Sequence, residues 1–407
     1  MKKYSWGDHG PLLITESIKP SVTEGCPLVN FGLSTDVIGV YRPCCNYEDN
    51  YYWNNNKPNL EEYKKSSIKL AEEFASGKWP KGCLPCKQLE DSGIVSKRTV
   101  AHLNYKNYLA NNPDMNENKY LILDIRLSNT CNLGCVSCTP RSSSFIEEEY
   151  KSKKDKILNV DRDYNQKILK TYKYSNQEID DIVDNISAEG AYINLAGGEP
   201  TLIKEYYYLL EKMIEKGLHK SVNVVITSNI TTYNPKFIEL AKQFKGLLTC
   251  SIDGLGEEGE FIRYKSDWKT TVENLNKFKK ELPNWDIRIS PTISILNIHR
   301  FNEFYSYFTE RGYSLNYFLN ILMGPNHLDI RILPDEEKER LIESFKDLPS
   351  NHRERLTNFL RNPEYSPSEK ISCRKYAVDT LDSIDKVRNT NWKDTFPELY
   401  SLLKNIT

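Results

Sequence analysis

At 407 residues the chain exceeds one ordinary hydrophobic core, so two domains, or one large α/β domain with an appendage, are expected. Its 39% hydrophobic and 27% charged residues, with a net charge of -1, describe a soluble globular protein and lack the basic excess of a nucleic-acid-binding surface, so no nucleic-acid partner is expected. Polar residues follow Met1-Lys2-Lys3 at once and no segment approaches membrane-span length, so a cytoplasmic protein with no membrane partner is expected, whose ten cysteines read as metal ligands more readily than as disulfides.

Half of those cysteines, Cys26, Cys44, Cys45, Cys83 and Cys86, fall in the first 110 or so residues. Phe31-Gly32-Leu33 and Val37 to Tyr41 are short β-type runs around a turn at Ser34-Thr35-Asp36, a hairpin that brings Cys26 and Cys44 together. A helix follows from Asn59, with Glu62 completing a capping-box pattern, Tyr63, Leu70 and Phe74 on its apolar face and Gly77 at its end. Trp79 to Cys86 then supplies a C-x2-C knuckle. Four thiolates from a hairpin and a knuckle make one closed site, for zinc or for a cluster.

Asn111-Asn112-Pro113-Asp114 to Lys119 is polar and rich in breakers, and marks a linker. It divides residues 1–112, a small Cys-rich module, from a main domain at 113–350, with 351–407 left as a C-terminal tail of unassigned role. In the main domain the β-type runs are Leu121 to Leu127, Tyr192 to Ala196, Val222 to Thr227, Leu247 to Ile252, Asp286 to Ile293 and Leu315 to Leu322. Helical patterns lie between them at Ile203 to Lys216, Pro235 to Gln243, Trp268 to Glu281 and Phe301 to Arg311. This alternation predicts βαβ units on a parallel sheet, six of which make a partial (β/α)6 TIM-like barrel. Residues 147–177 interrupt the pattern and read as a surface excursion, or alternatively as a lid over the barrel mouth.

Chemistry concentrates after the first barrel strand, in Cys131, Cys135 and Cys138. Three thiolates can hold three irons of a 4Fe-4S cube and leave the fourth open to another ligand. A buried helical stripe of cysteines is the plainer alternative, but Asn132, Gly134 and Pro140 suit a loop better, while zinc remains open. Ala196-Gly197-Gly198-Glu199-Pro200 follows the second strand: its glycines let the backbone approach a ligand, and Glu199 can bind an ammonium group. Ser228 and Asn229 end the third strand. Ser251 and Asp253 share one face at the end of the fourth, with Cys250 on the other. In the tail, Lys370, Arg374 and Lys375 surround Cys373 and are expected to lower its pKa.

The C-x3-C-x2-C spacing, paired with Gly197-Gly198-Glu199-Pro200, resembles the radical S-adenosylmethionine superfamily. The resemblance implies that the open iron is chelated by the amino and carboxylate groups of S-adenosylmethionine. Reductive cleavage of the cofactor then gives a 5′-deoxyadenosyl radical that takes hydrogen from a substrate C-H bond. It also implies that Gly197, Gly198 and Glu199 bind the amino group, that Ser228, Asn229, Ser251 and Asp253 contact ribose and carboxylate, and that Arg263 helps hold the carboxylate. Ser137 stands where the family often has an aromatic or bulky residue.

The N-terminal ordering resembles the SPASM and twitch modules that hold auxiliary 4Fe-4S clusters. Cys26, Cys44, Cys83 and Cys86 match as ligands and Cys45 is the spare, which gives two 4Fe-4S clusters and S-adenosylmethionine as the implied cofactors. Enzymes with such modules often crosslink, epimerise or oxidise ribosomally made peptides, so a peptide substrate is expected, with a small molecule such as a sugar or nucleoside as the alternative. A flavodoxin or ferredoxin is the implied electron donor. Radical epimerases return hydrogen from a Cys thiol, which makes Cys373 a candidate donor if the tail folds over the barrel mouth. A non-catalytic zinc-binding scaffold is the alternative of another class.

Overall fold

The computed structural model describes residues 20–48, 59–91, 96–103, 119–153, 171–317 and 319–404. The expected linker and most of the 147–177 excursion lie outside these residues. In chain order the strands are β1 (Gly32–Asp36), β2 (Val40–Arg42), β3 (Ile122–Ile125), β4 (Gly134–Cys135), β5 (Tyr192–Leu195), β6 (Asn223–Ser228), β7 (Gly246–Cys250), β8 (Arg263–Tyr264), β9 (Trp285–Ile289), β10 (Thr292–Ile293), β11 (Ser314–Leu315) and β12 (Asn320–Ile321).

Eight of them form one sheet in the order β11-β9-β7-β6-β5-β3-β1-β2, and every pairing but β1 with β2 is parallel. The fold is therefore mixed α/β with a mostly parallel sheet, as the alternation predicts. Leu123 and Ile125, Ile193 and Leu195, Val224 and Ile226, Leu248 and Cys250 are buried in one core with the helices' apolar stripes. Those stripes include Tyr206, Leu209 and Met213 of Lys204–Glu215 and Leu275 and Phe278 of Trp268–Glu281. The intervening positions, among them Asn194, Thr227, Thr249 and Arg288, line a cavity of about 280 Å³ on the other face. Period-two alternation thus places apolar side chains against helices and polar ones in the open interior.

Two strands read as single runs are broken. Asp286 to Ile293 splits into β9 and β10 because Pro291 has no N-H to give to a ladder, and the next N-H, of Thr292, goes instead to Asp253 Oδ1 at 2.7 Å. Leu315 to Leu322 splits into β11 and β12, the latter pairing with β10.

The N-terminal hairpin also differs from expectation. Ser34, Thr35 and Asp36 lie within β1, and the turn falls at 37–39, where Gly39 takes a φ of +81° and gives its N-H to Asp36 O at 2.9 Å. β1 pairs with β3 from Gly32 to Ser34, so the parallel sheet runs on into the hairpin. Tyr174, at the end of the interrupting segment, is buried against this hairpin and donates to Asp36 O at 2.7 Å.

The tail is built into the core. Helix Pro367–Arg388 is capped by Ser366 with Glu369, and ends where Asn389 turns left-handed at φ 56°. Trp392 beyond it is fully buried and gives its indole N-H to Asp382 at 2.7 Å, while Phe396 meets Phe261 edge-on with ring centroids 5.2 Å apart. Among the described residues no helix is long and apolar enough to cross a membrane.

Candidate active site

The carboxyl edge of β3, β5, β6 and β7 gathers most of the sequence-derived residues. Gly198 sits at φ +36°, and a Cβ there would lie 2.2 Å from Thr130 O, so only glycine lets this turn press on the residue before Cys131. The next N-H, of Glu199, is donated to Thr130 O at 2.7 Å. The Glu199 carboxylate is fully buried. Its Oε1 accepts from Thr201 N at 3.1 Å, Thr201 Oγ1 at 2.7 Å and Ser228 Oγ at 2.8 Å, while Oε2 accepts from Asn229 N at 2.6 Å. Burial raises its pKa against the pull of those four donors. Glu199 therefore ties the glycine turn to the end of β6.

From β6 the Asn229 amide reaches the cysteine loop, donating to Asn132 Oδ1 at 3.0 Å and standing 3.9 Å from Cys131 Sγ. On the other flank β4 pairs antiparallel with β8, which sets Cys135 opposite Arg263. Arg263 is ion-paired to Asp253 at 2.9 Å, and its Nη1 stands 3.8 Å from Cys135 Sγ. Burial pushes the Cys131 thiol up to about 11. The hydrogen bond with Cys138, and then Arg263, lower the pKa of Cys135. Three thiols on one loop, two with N-H groups within 4 Å of sulfur, are a donor set that fits an iron-sulfur cluster, whose potential and ligand charge such N-H groups tune. Ser251 lies at the same edge, its N-H on Ser228 O at 2.8 Å, and Cys250 is buried on the opposite face.

The N-terminal thiols form a second group. Cys26, Cys44 and Cys83 have raised pKa values, Cys44 to about 12. Burial is the main cause for each, and Cys86 adds to all three. Cys26, Cys44 and Cys83 pack, partly buried, against one small cluster of Val29, Tyr47, Leu70 and Phe74. Cys45 turns away and accepts a hydrogen bond from Lys97 Nζ at 2.8 Å. Four thiols in one small module are a donor set that fits a closed thiolate site, and metal binding would deprotonate them. Among the described residues, no three His, Cys, Asp or Glu side chains stand in the arrangement of a ready metal site.

Two arginines that sequence reasoning missed hold these loops. Arg98, 2% exposed, pairs with Glu90 at 2.6 Å and donates to the carbonyls of Pro20, Ser21 and Gly25 just ahead of Cys26. Arg388 pairs with Glu149 at 2.8 Å behind the cysteine loop, with its guanidinium 4.7 Å from the Tyr264 ring. No local pattern announces either one. Cys373 lies fifteen residues before Arg388 on the same helix, about 22 Å of rise from that contact behind the cysteine loop. Burial, then Glu369 and Asp329, raise its pKa, the reverse of the lowering expected from its basic neighbours in sequence.

A mostly parallel α/β sheet that gathers polar and thiol side chains at its carboxyl edge places them where such folds build ligand sites. Residues 125–306 match the family model of the radical SAM superfamily. An uncharacterised protein of Methanocaldococcus jannaschii is 24% identical over 277 residues, 65% of this chain and 80% of its own length. Among solved structures, anSMEcpe with bound AdoMet is 18% identical over 55% of this chain, with a TM-score of 0.40. Streptococcus suis SuiB bound to S-adenosylmethionine is 14% identical over 73% of this chain, with a TM-score of 0.33. The chain spans 58% of the first structure and 64% of the second, less than two thirds of either.

Proposed function

We propose that this protein is a radical S-adenosylmethionine enzyme with a catalytic cluster on Cys131, Cys135 and Cys138 and an auxiliary 4Fe-4S cluster on Cys26, Cys44, Cys83 and Cys86. The observation that carries the reading is the meeting of the Gly197-Gly198-Glu199 turn, Asn229 and Arg263 with the cysteine loop at one edge of the sheet. When bound, the cluster and S-adenosylmethionine supply an electron and a 5′-deoxyadenosyl radical that removes hydrogen from a substrate C-H bond.

The chain's own residues bind and orient. Glu199 Oε1 already accepts three hydrogen bonds and Oε2 one, so Oε2 is the oxygen left for the cofactor's ammonium group. Ser228, Asn229 and Ser251 would hold the ribose, and Arg263, held by Asp253, would pair with the carboxylate. Asn229 and Arg263 also aim N-H groups at Cys131 and Cys135 sulfurs. The four N-terminal thiolates complete their own coordination, so their role is electron transfer or support. Cys44 serves there rather than Cys45, since Cys45 is taken by Lys97.

In this reading residues 1–112 form the auxiliary module, 113–350 the barrel and 351–407 its backing. The substrate is a ribosomally made peptide, or alternatively a small molecule, the electron donor is a flavodoxin or ferredoxin, and the enzyme works in the cytoplasm. Iron, sulfide and zinc analysis of anaerobically prepared protein tests the proposal. About eight irons per chain with matching sulfide supports it, and zinc without sulfide sinks it.

A further inference from the structure

A cavity of about 220 Å³ has a wall that includes Asp36, Arg42, Cys45, Arg126, Arg141 and Gly197. Its cations outnumber its carboxylates. Arg42 and Arg141 both pair with Asp36, the first at 2.9 Å and the second through Nε at 3.1 Å and through Nη2. Arg126 Nε meets Asp124 at 3.3 Å, and Lys97 stands behind Cys45. Three arginines thus line the cavity against one carboxylate, Asp36, with Asp124 and Lys97 outside the lining. Among the described residues Arg126 commits only its Nε side to the protein, and Arg141 only Nε and Nη2, although a guanidinium carries five N-H donors. With 39% and 30% of these side chains exposed, the remaining donors are reachable from solvent.

We propose that this cavity binds an oxyanion of the substrate, a carboxylate or a phosphate, gripped by Arg126 and Arg141 with Arg42 behind them. Planar guanidinium forks match either group, and a net positive wall draws it in. Arg126 also packs on the glycine turn, its Cβ 3.2 Å from where a Gly197 side chain would begin, so the anchored group sits beside the proposed cofactor site. That the anion belongs to a substrate rests on the radical enzyme reading; that the cavity binds it does not.

Cys45 reports on occupancy because it lines the cavity. If both clusters are present, the thiols outside them are Cys45, Cys250 and Cys373. Cys250 is fully buried and Cys373, on the tail helix, serves as the reference. The experiment is N-ethylmaleimide alkylation of the full chain, mapped by peptide mass spectrometry, with inorganic phosphate, succinate or sodium chloride at matched ionic strength. An oxyanion at ten times its Kd leaves about a tenth of the cavity open, so Cys45 alkylation slows about tenfold while Cys373 does not change. Arg126→Gln should raise the anion concentration needed by about tenfold or more, and Arg126→Lys by less.

Protection by phosphate alone assigns a phosphate ester, protection by succinate alone a carboxylate, and protection by both supports the general oxyanion site. Equal slowing by sodium chloride, no slowing, or undiminished protection in both variants overturns the proposal. Should Arg126→Gln not fold, the wild-type comparison of the three salts still decides. Protection without iron leaves the cavity standing and removes the radical reading, whereas iron without protection does the opposite.

Discussion

Arg388→Met tests how the tail supports the cysteine loop. The Arg388 and Glu149 side chains are 5% and 7% exposed and meet through two bonds, of 2.8 and 3.2 Å. The Arg388 guanidinium lies 4.7 Å from the Tyr264 ring, and its Nη2 is 3.2 Å from where a Gly134 Cβ would be. Removing the arginine strands a buried carboxylate, which costs about 3–5 kcal/mol, a large share of the roughly 5–15 kcal/mol that holds a typical domain. Replacing both partners, as Arg388→Met with Glu149→Leu, removes the stranded charge and should recover most of the loss. Denaturant unfolding of the two single variants and the double variant measures the coupling. A single-variant loss below about 1 kcal/mol, as for an exposed pair, would refute the buried tie.

Gly198→Ala should weaken S-adenosylmethionine binding measured by calorimetry, because its Cβ would collide with Thr130 O at 2.2 Å. Gly217→Ala, also at positive φ but with nothing within 4 Å, should leave binding intact, and equal effects would contradict the contact. Glu258 is raised to about 7 by burial first, with Glu398 and Glu303 adding to it and outweighing its ion pair with Arg300 at 2.8 Å. Between its usual 4.5 and about 7 the folded state holds more protons than the unfolded, so this group's contribution to stability falls as pH rises through that window. Glu258→Gln should flatten that part of a stability-versus-pH curve, and an unchanged slope would contradict the shift.

The mostly parallel α/β sheet was legible because its strands alternate helix-facing apolar residues with polar ones and its helices carry clean apolar stripes, so even the bounds of Trp268–Glu281 agree. The hairpin turn was misplaced because Ser34, Thr35 and Asp36 are turn formers by type, yet pairing with β2 and β3 holds them in a strand. Local composition also misled at Cys373. Arg374 and Lys375 point elsewhere around the helix and Lys370, at i-3, is paired with Asp335 at 2.8 Å, while Glu369, one turn back, and Asp329 from another element act on the thiol. The loop, the glycine turn and Arg263 were each legible as motifs. What holds them was not, since Arg388 meets Glu149 across 239 residues and Arg98 meets the Cys26 loop across more than 70.

The central claim is tested most directly by 5′-deoxyadenosine formation from S-adenosylmethionine, after anaerobic reconstitution and reduction, in the wild type and in the Cys131→Ala, Cys135→Ala, Cys138→Ala triple variant. The wild type should release 5′-deoxyadenosine, and the variant should release none while keeping about four irons on its N-terminal thiols. Reductive cleavage by the triple variant, or none by an iron-loaded wild type, would contradict the account.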